Sequence, residues 1–167
     1  MKKKVRPTGF WTFFCNPLQW PIDNYLPKWK EGHKSRYMIT EWQKDWFRVG
    51  DIGIIRVGHD QRSMAKRNGK QKLIRGIYAL IEVIGLPKPE TDFRSEKKGQ
   101  VRYYVGIRYL RNYFNNPILL TELQNHFAVE KDPYLLPGHQ ASSMPLCEEV
   151  FNTVLIIGEG RSSLLPK

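Results

Sequence analysis

The chain is poor in the residues that would let it hold a metal or staple itself together. Cysteine occurs twice in 167 residues, at Cys15 and Cys147. So few exclude a disulfide scaffold and a cysteine-based zinc site, and suit a reducing, cytoplasmic setting. The histidines His33, His59, His126 and His139 stand in no HExxH or other metal-ligand spacing. No apolar run approaches the roughly 20 residues needed to span a bilayer, so no membrane partner is expected. MKKKVRP is basic, but GFWTFFCNP is too short, and broken too soon by Asn16-Pro17, for a signal peptide. Catalytic signatures are missing too, with no GxSxG and no GxxxxGK[ST]. Glu96-Lys97-Lys98 carries half of a metal-nuclease motif, lacks the preceding Pro-Asp and a flanking strand, and reads as a surface loop. Neither metal nor cofactor is expected. Acid is also scarce: 16 Asp and Glu face 27 Lys and Arg, a net charge of +11. That balance favours a polyanionic partner, nucleic acid first.

What is present is a globular composition, long enough to bury about 70% of the surface an unfolded chain exposes. GFWTFFC (9–15) reads as a first strand that Asn16-Pro17 ends, because proline disfavours helical geometry in the residue before it and brings no N–H. Residues 22–29 predict a short helix after Pro21, and Thr40 with Gln43 has capping-box spacing for a helix over 41–48. DIGIIRVG (51–58) is a second strand. RGIYALIEVIG (75–85) is a third, apolar on both faces and so central in the sheet. QVRYYVGIRYL (100–110) alternates, with Arg102 and Arg108 on its wet face. Thr121 and Gln124 again have capping-box spacing, and a last helix is expected near 146–157. The organisation is a basic arm (1–8), a single α+β domain (9–158) and a tail or linker (159–167). Irregular connections between strands fit a small curved sheet or open barrel.

Two stretches carry chemistry. From Arg56 to Arg75 there are seven Lys or Arg (Arg56, Arg62, Lys66, Arg67, Lys70, Lys72 and Arg75) against one Asp, a net +6 in twenty residues. Such a loop suits a phosphate backbone, or is simply a solvated hairpin tip. The other is FFCNPLQWPID, in which Asn16 and Trp20 sit on a turn stiffened by Pro17 and Pro21. Trp20 either plugs the core or forms a pocket wall. Asn16 either caps the turn or offers donor and acceptor to a base edge. Stacking on an aromatic contributes on the order of 1–3 kcal/mol per base. Trp42 and Trp46 share a helical face, one for the core and one for solvent.

In order, FWTFFCNPLQW, FRVGDIGIIRVG, RGIYALIEVIGLP and PGHQASSMPLCEEVF resemble the EVE domain of the PUA-like superfamily, over residues 9–157. The resemblance implies a curved, open β-barrel flanked by short helices. It also implies a non-catalytic role, reading a modified base such as 5-methylcytosine or 5-hydroxymethylcytosine flipped out of DNA. Some EVE domains are fused to nucleases of modification-dependent restriction systems, so a nuclease domain or partner is an expectation. By position, Asn16, Pro17 and Trp20 look like the first pocket loop, Tyr37 or Trp42 the second wall, and Gly76 to Tyr78 the floor. Gln140 and Ser142 would close the far side. Arg102 and Arg108 would join the basic loop on the phosphates. RNA binding is the alternative within the superfamily, and an enzyme acting on DNA the alternative outside it.

Overall fold

A computed structural model of the protein describes residues 4–92, 100–137 and 141–161. Glu96-Lys97-Lys98, His139 and Gln140 lie outside the described residues, as do the ends of the basic arm and of the tail. The aromatic and β-branched segments form the longer strands β1 (Phe10–Cys15), β3 (Ile52–Val57), β4 (Gly76–Asp92) and β5 (Gln100–Asn112), and the shorter or more polar β2 (Lys34–Met38), β6 (Ile118–Leu119) and β7 (Ser143–Pro145) pair onto them. They make one mixed sheet in the order β2-β5-β4-β3-β1-β7, with β6 on β4. β4 is central, as its two apolar faces require.

β1 and β3 run parallel, and every other pairing is antiparallel. The sheet is an open one, because among the described residues no ladder joins its edges β2 and β7. Side chains bring those edges together instead. The Thr40 hydroxyl, two residues past β2, donates to the Ser143 carbonyl on β7 at 3.0 Å, and the Thr40 amide donates to Ser143 Oγ. Ser143 Oγ in turn donates to Gln43 Oε1 at 2.8 Å. The result is an open barrel whose seam is held by three polar residues.

Inside lie Trp11, Phe13, Tyr37, Phe47, Ile55, Val83, Ile107 and Tyr109, with Trp11 stacked on Phe47 at 3.8 Å. The outer face buries Ile54, Ile77, Leu80 and Tyr113 under helices α1 (Leu120–Leu123), α2 (Phe127–Glu130) and α3 (Glu148–Glu159). Adjacent residues Ile54 and Ile55 thus go to opposite sides, as a strand's period of two dictates.

Several expectations are corrected. The helix over 22–29 is a pair of 3-10 turns, Ile22–Asn24 and Leu26–Lys28, and that over 41–48 is a 3-10 helix, Glu41–Trp46. The capping box at Thr40 does not form, because Thr40 and Gln43 are committed to the seam. α1 starts at Leu120, where the Glu122 carboxylate accepts the Leu119 amide at 2.8 Å. The last helix is shifted two residues along, to Glu148–Glu159.

Candidate nucleic-acid interface

Because β1 and β3 are parallel neighbours, both end at the same edge of the sheet. The Asn16 turn leaves from one and the basic loop from the other. Asn16 acts as the turn cap: its Oδ1 accepts the Leu18 amide at 3.0 Å, and its carbonyl accepts the amides of Gln19 and Trp20. That leaves the exposed side-chain amide nitrogen without a partner among the described residues. Both readings of Asn16 are thus compatible, since the acceptor is engaged and the donor is not. Pro17 is buried beneath the turn.

Trp20 is half-buried and packs against the barrel interior, edge-on to Tyr37 at 5.3 Å and 87°. Its other neighbours are Tyr25, near-parallel at 6.3 Å, and Trp29 at 6.3 Å. Trp29 stacks on His33 at 4.3 Å and 16°. Trp20 therefore closes the end of the barrel and also heads a partly exposed aromatic row, Trp20–Tyr25–Trp29–His33. Tyr37 is buried, and its hydroxyl donates to the Phe14 carbonyl at 3.2 Å. Burial raises its pKa, and raises that of neighbouring Cys15 to about 12, so both stay neutral at the barrel mouth.

The floor residues owe their placing to a bulge. β3 pairs Ile55 with Ala79 and Arg56 with Ile77, so the ladder skips Tyr78. A bulge re-aims the side chain it carries. Here Tyr78 turns inward with Ala79, packs on Phe114, and donates its hydroxyl to the Ile74 carbonyl at 2.7 Å. Gly76 cannot be larger, because a Cβ would lie 2.5 Å from the Ile118 carbonyl oxygen. Ser142 accepts the Phe14 amide at 3.0 Å. It lines a cleft of about 220 Å³ with Thr40, Arg102 and Tyr103. Asn16, Pro17, Trp20, Tyr37 and Ser142 thus meet at one corner, and Arg102 stands on its Ser142 side. Trp42 does not join them. It is 58% exposed, with its ring against the edge of Trp46 at 5.2 Å.

The basic loop is not a free tip. Arg62 is only 4% exposed and turns inward. Its guanidinium takes both oxygens of Asp23 at 2.9 and 3.1 Å and both oxygens of Asp60 at 2.9 Å. Hydrogen bonds from Arg62, then from the Leu73 and Arg62 amides, hold the Asp60 carboxyl far below the usual carboxylate range. This clamp ties the loop to the aromatic turn. Arg62 is therefore unavailable to phosphate, a correction to its expected role. Arg56 is also buried, with its Nε donating to the Leu135 carbonyl at 2.6 Å and Nη2 to Leu136 at 3.1 Å. It too does not reach the surface.

A tight turn shapes the outer part of the loop. Gly69 donates to the Met64 carbonyl at 3.1 Å, and Asn68 and Gly69 adopt left-handed φ of 52° and 75°. Lys66 is exposed. Arg67 donates to the Lys70 carbonyl, and Lys70 reaches Asn24 Oδ1 at 2.7 Å. Lys72 and Arg75 are exposed at the root of the loop. Arg108 is apart from this group and bonds Glu82 at 2.8 Å on the neighbouring strand. The sequence does not show the clamp, because Asp23 lies 39 positions from the arginine and Asp60, two residues away, reads as loop polarity.

No protein-family model matches the sequence, and no curated protein does. Solved structures do. A hypothetical protein from Leishmania major superposes with a TM-score of 0.64 at 16% identity, over 96% of this chain and 98% of that one. Human THYN1 protein, in complex with DNA containing 5-methylcytosine, gives a TM-score of 0.59 at 17% identity, over 90% of this chain and 97% of that one. Protein PSPTO5229 from Pseudomonas syringae gives 0.59 at 16% identity, over 89% and 98%. This chain has the PUA-like fold. At these identities the likeness is one of fold. Within the PUA-like sheet, the corner at Asn16 and the clamped loop beside it are this chain's own residues, and they carry the functional argument.

Proposed function

We infer that this domain binds DNA and reads a modified cytosine, 5-methylcytosine or 5-hydroxymethylcytosine, flipped from the duplex into the corner at Asn16. The observation that carries the reading is a juxtaposition. An aromatic turn with an unengaged amide donor and a rigid cationic loop leave the same edge of the sheet. Backbone phosphates would take the exposed cations Lys66, Lys70, Lys72 and Arg75, with Arg67 and Arg102 at the flanks. These contacts give affinity that falls with salt, and the corner supplies discrimination. A flipped base needs a stacking face and a polar edge. Trp20, backed edge-on by the buried Tyr37, offers the first, and Asn16 and Ser142 the second. Support also comes from the human protein of like fold, held in complex with DNA containing 5-methylcytosine. In this reading the domain is a non-catalytic reader in the cytoplasm, and cleavage in a restriction system would fall to a nuclease domain or partner.

The test is binding of matched duplexes with cytosine, 5-methylcytosine or 5-hydroxymethylcytosine at one site. Preference for a modified duplex is expected, and equal affinity for all three would leave only generic DNA binding. A second reading, single-stranded RNA, is favoured by the partly exposed row Trp20–Tyr25–Trp29–His33, which suits successive stacked bases. Competition between DNA and RNA of one sequence separates the two.

A further inference from the structure

A cleft of about 390 Å³ opens between the root of the basic loop and α1, within the range of small-ligand sites. Its charge is one-sided. Lys72 and Arg75 line it, and its one acid, Asp60, has both oxygens engaged by Arg62. Thr121, Gln124 and His59 add hydrogen-bonding groups to its lining.

Behind the cleft stands an uncompensated cation. Arg56 is 3% exposed, and no carboxylate pairs with it among the described residues. Two carbonyls and the Phe14 ring, 5.7 Å away, are what it holds. Arg75 Nη2 donates at 3.2 Å to the same Leu136 carbonyl that accepts from Arg56. Two guanidiniums therefore converge on one neutral oxygen. A buried cation normally has a counter-charge, because desolvation is costly without one. Burial first, and then nearby Arg75, lower the Arg56 pKa to about 10, the direction an unanswered charge should take. An anion in the cleft would answer both arginines. The apolar lip, Ile74 and Leu136, would accept the non-polar edge of a sugar.

We propose that this cleft seats one backbone phosphate, with its sugar, of the DNA strand, held by Arg75 and Lys72 in the field of buried Arg56. The proposal rests on the DNA-binding reading and adds to it a fixed phosphate register, where a loop of mobile lysines would give only a diffuse one. A guanidinium fork suits phosphate oxygens, and a position fixed by three elements specifies which phosphate is gripped.

The test is a phosphate walk. Duplexes carrying one neutral methylphosphonate, moved position by position around the target cytosine, are titrated by anisotropy against wild type, Arg75→Gln and Thr121→Trp. Both variants change exposed residues, and Thr121→Trp fills the cleft without altering charge. Lys34→Gln on the edge strand β2 is the control. In wild type, one position should cost about tenfold in affinity, the size expected of a charge-assisted contact. The same position should cost nothing further in either variant. Arg75→Gln should also lower the slope of log K against log salt by about one. A walk with no position dependent on Arg75, or Thr121→Trp binding like wild type, overturns the phosphate seat and leaves base reading intact. Equal binding of modified and unmodified duplexes with the walk as expected overturns base reading and leaves the seat. No binding of any duplex overturns both.

Discussion

The Asn16 turn and the basic loop leave the same edge of the sheet and are held by opposite physics. The turn is fixed by burial: Pro17, Ile22 and Leu26 are covered, and Trp20 leans on Tyr37. The loop has little apolar material to bury and is fixed by a buried ion cluster. Apolar anchoring tolerates small shifts, since dispersion falls off gradually. A buried arginine between two carboxylates does not, because a lost partner leaves a desolvated charge. The aromatic side can therefore adapt around a ligand, while the charged side is set in place before one arrives.

Breaking the loop's anchor should have the largest effect. Arg62→Ala strands two buried carboxylates and should destabilise the fold by about 3–5 kcal/mol in urea unfolding. Survival within 1 kcal/mol of wild type would mean the clamp is not what holds the loop. Breaking the turn's anchor should cost less. Trp20→Ala removes a half-buried ring, for which about 2 kcal/mol is expected against 3–5 for a fully buried one. The same variant should lose affinity for the modified duplex several times more than for the plain one. An equal loss for both would make Trp20 a structural plug only.

Acid sharpens the contrast. Asp60 has a folded-state pKa depressed below its unfolded value of about 3.9, so its contribution is complete above that pH. It is lost as pH falls toward and through the folded-state value. Wild type should therefore lose stability steeply below about pH 4, and Asp60→Asn should show a shallower acid limb in thermal melts. The smallest effect is expected at the tip. The Lys66 side chain is exposed and makes no hydrogen bond or ion pair among the described residues, so Lys66→Ala should leave stability unchanged, lower affinity a few-fold for modified and plain duplexes alike, and reduce the salt slope by about one.

Legibility in the sequence divided along the same line. β1, β3 and β4 announce themselves by their apolar and aromatic runs, β5 by its alternation, and Asn16-Pro17 by its geometry. KSRYM does not read as a strand, because β2 is an edge whose one buried side chain is Tyr37. β7 is three residues long and owes its place to pairing with β1. The capping-box spacing at Thr40 was real chemistry directed elsewhere, since hydroxyl and amide found the seam before a helix terminus. Within the site, Asn16 and Trp20 were visible because a stiff turn bearing an aromatic is unusual. Arg62 reads as surface charge. Composition records that an arginine is present, and only the fold brings Asp23 within its reach, 39 positions away.

The parallel pairing of β1 and β3 has a consequence for anyone grafting this interface onto another sheet. Two chain exits side by side look like independent sockets, into which turn and loop could be transplanted separately. They are not independent, because the loop brings Arg62 and Asp60 while the turn brings Asp23. A loop moved alone would carry an arginine with half its partners, and a turn moved alone would bury a carboxylate with none. Exchange between relatives of this fold should succeed for residues 16–29 and 58–75 as a matched pair, and fail for either one by itself.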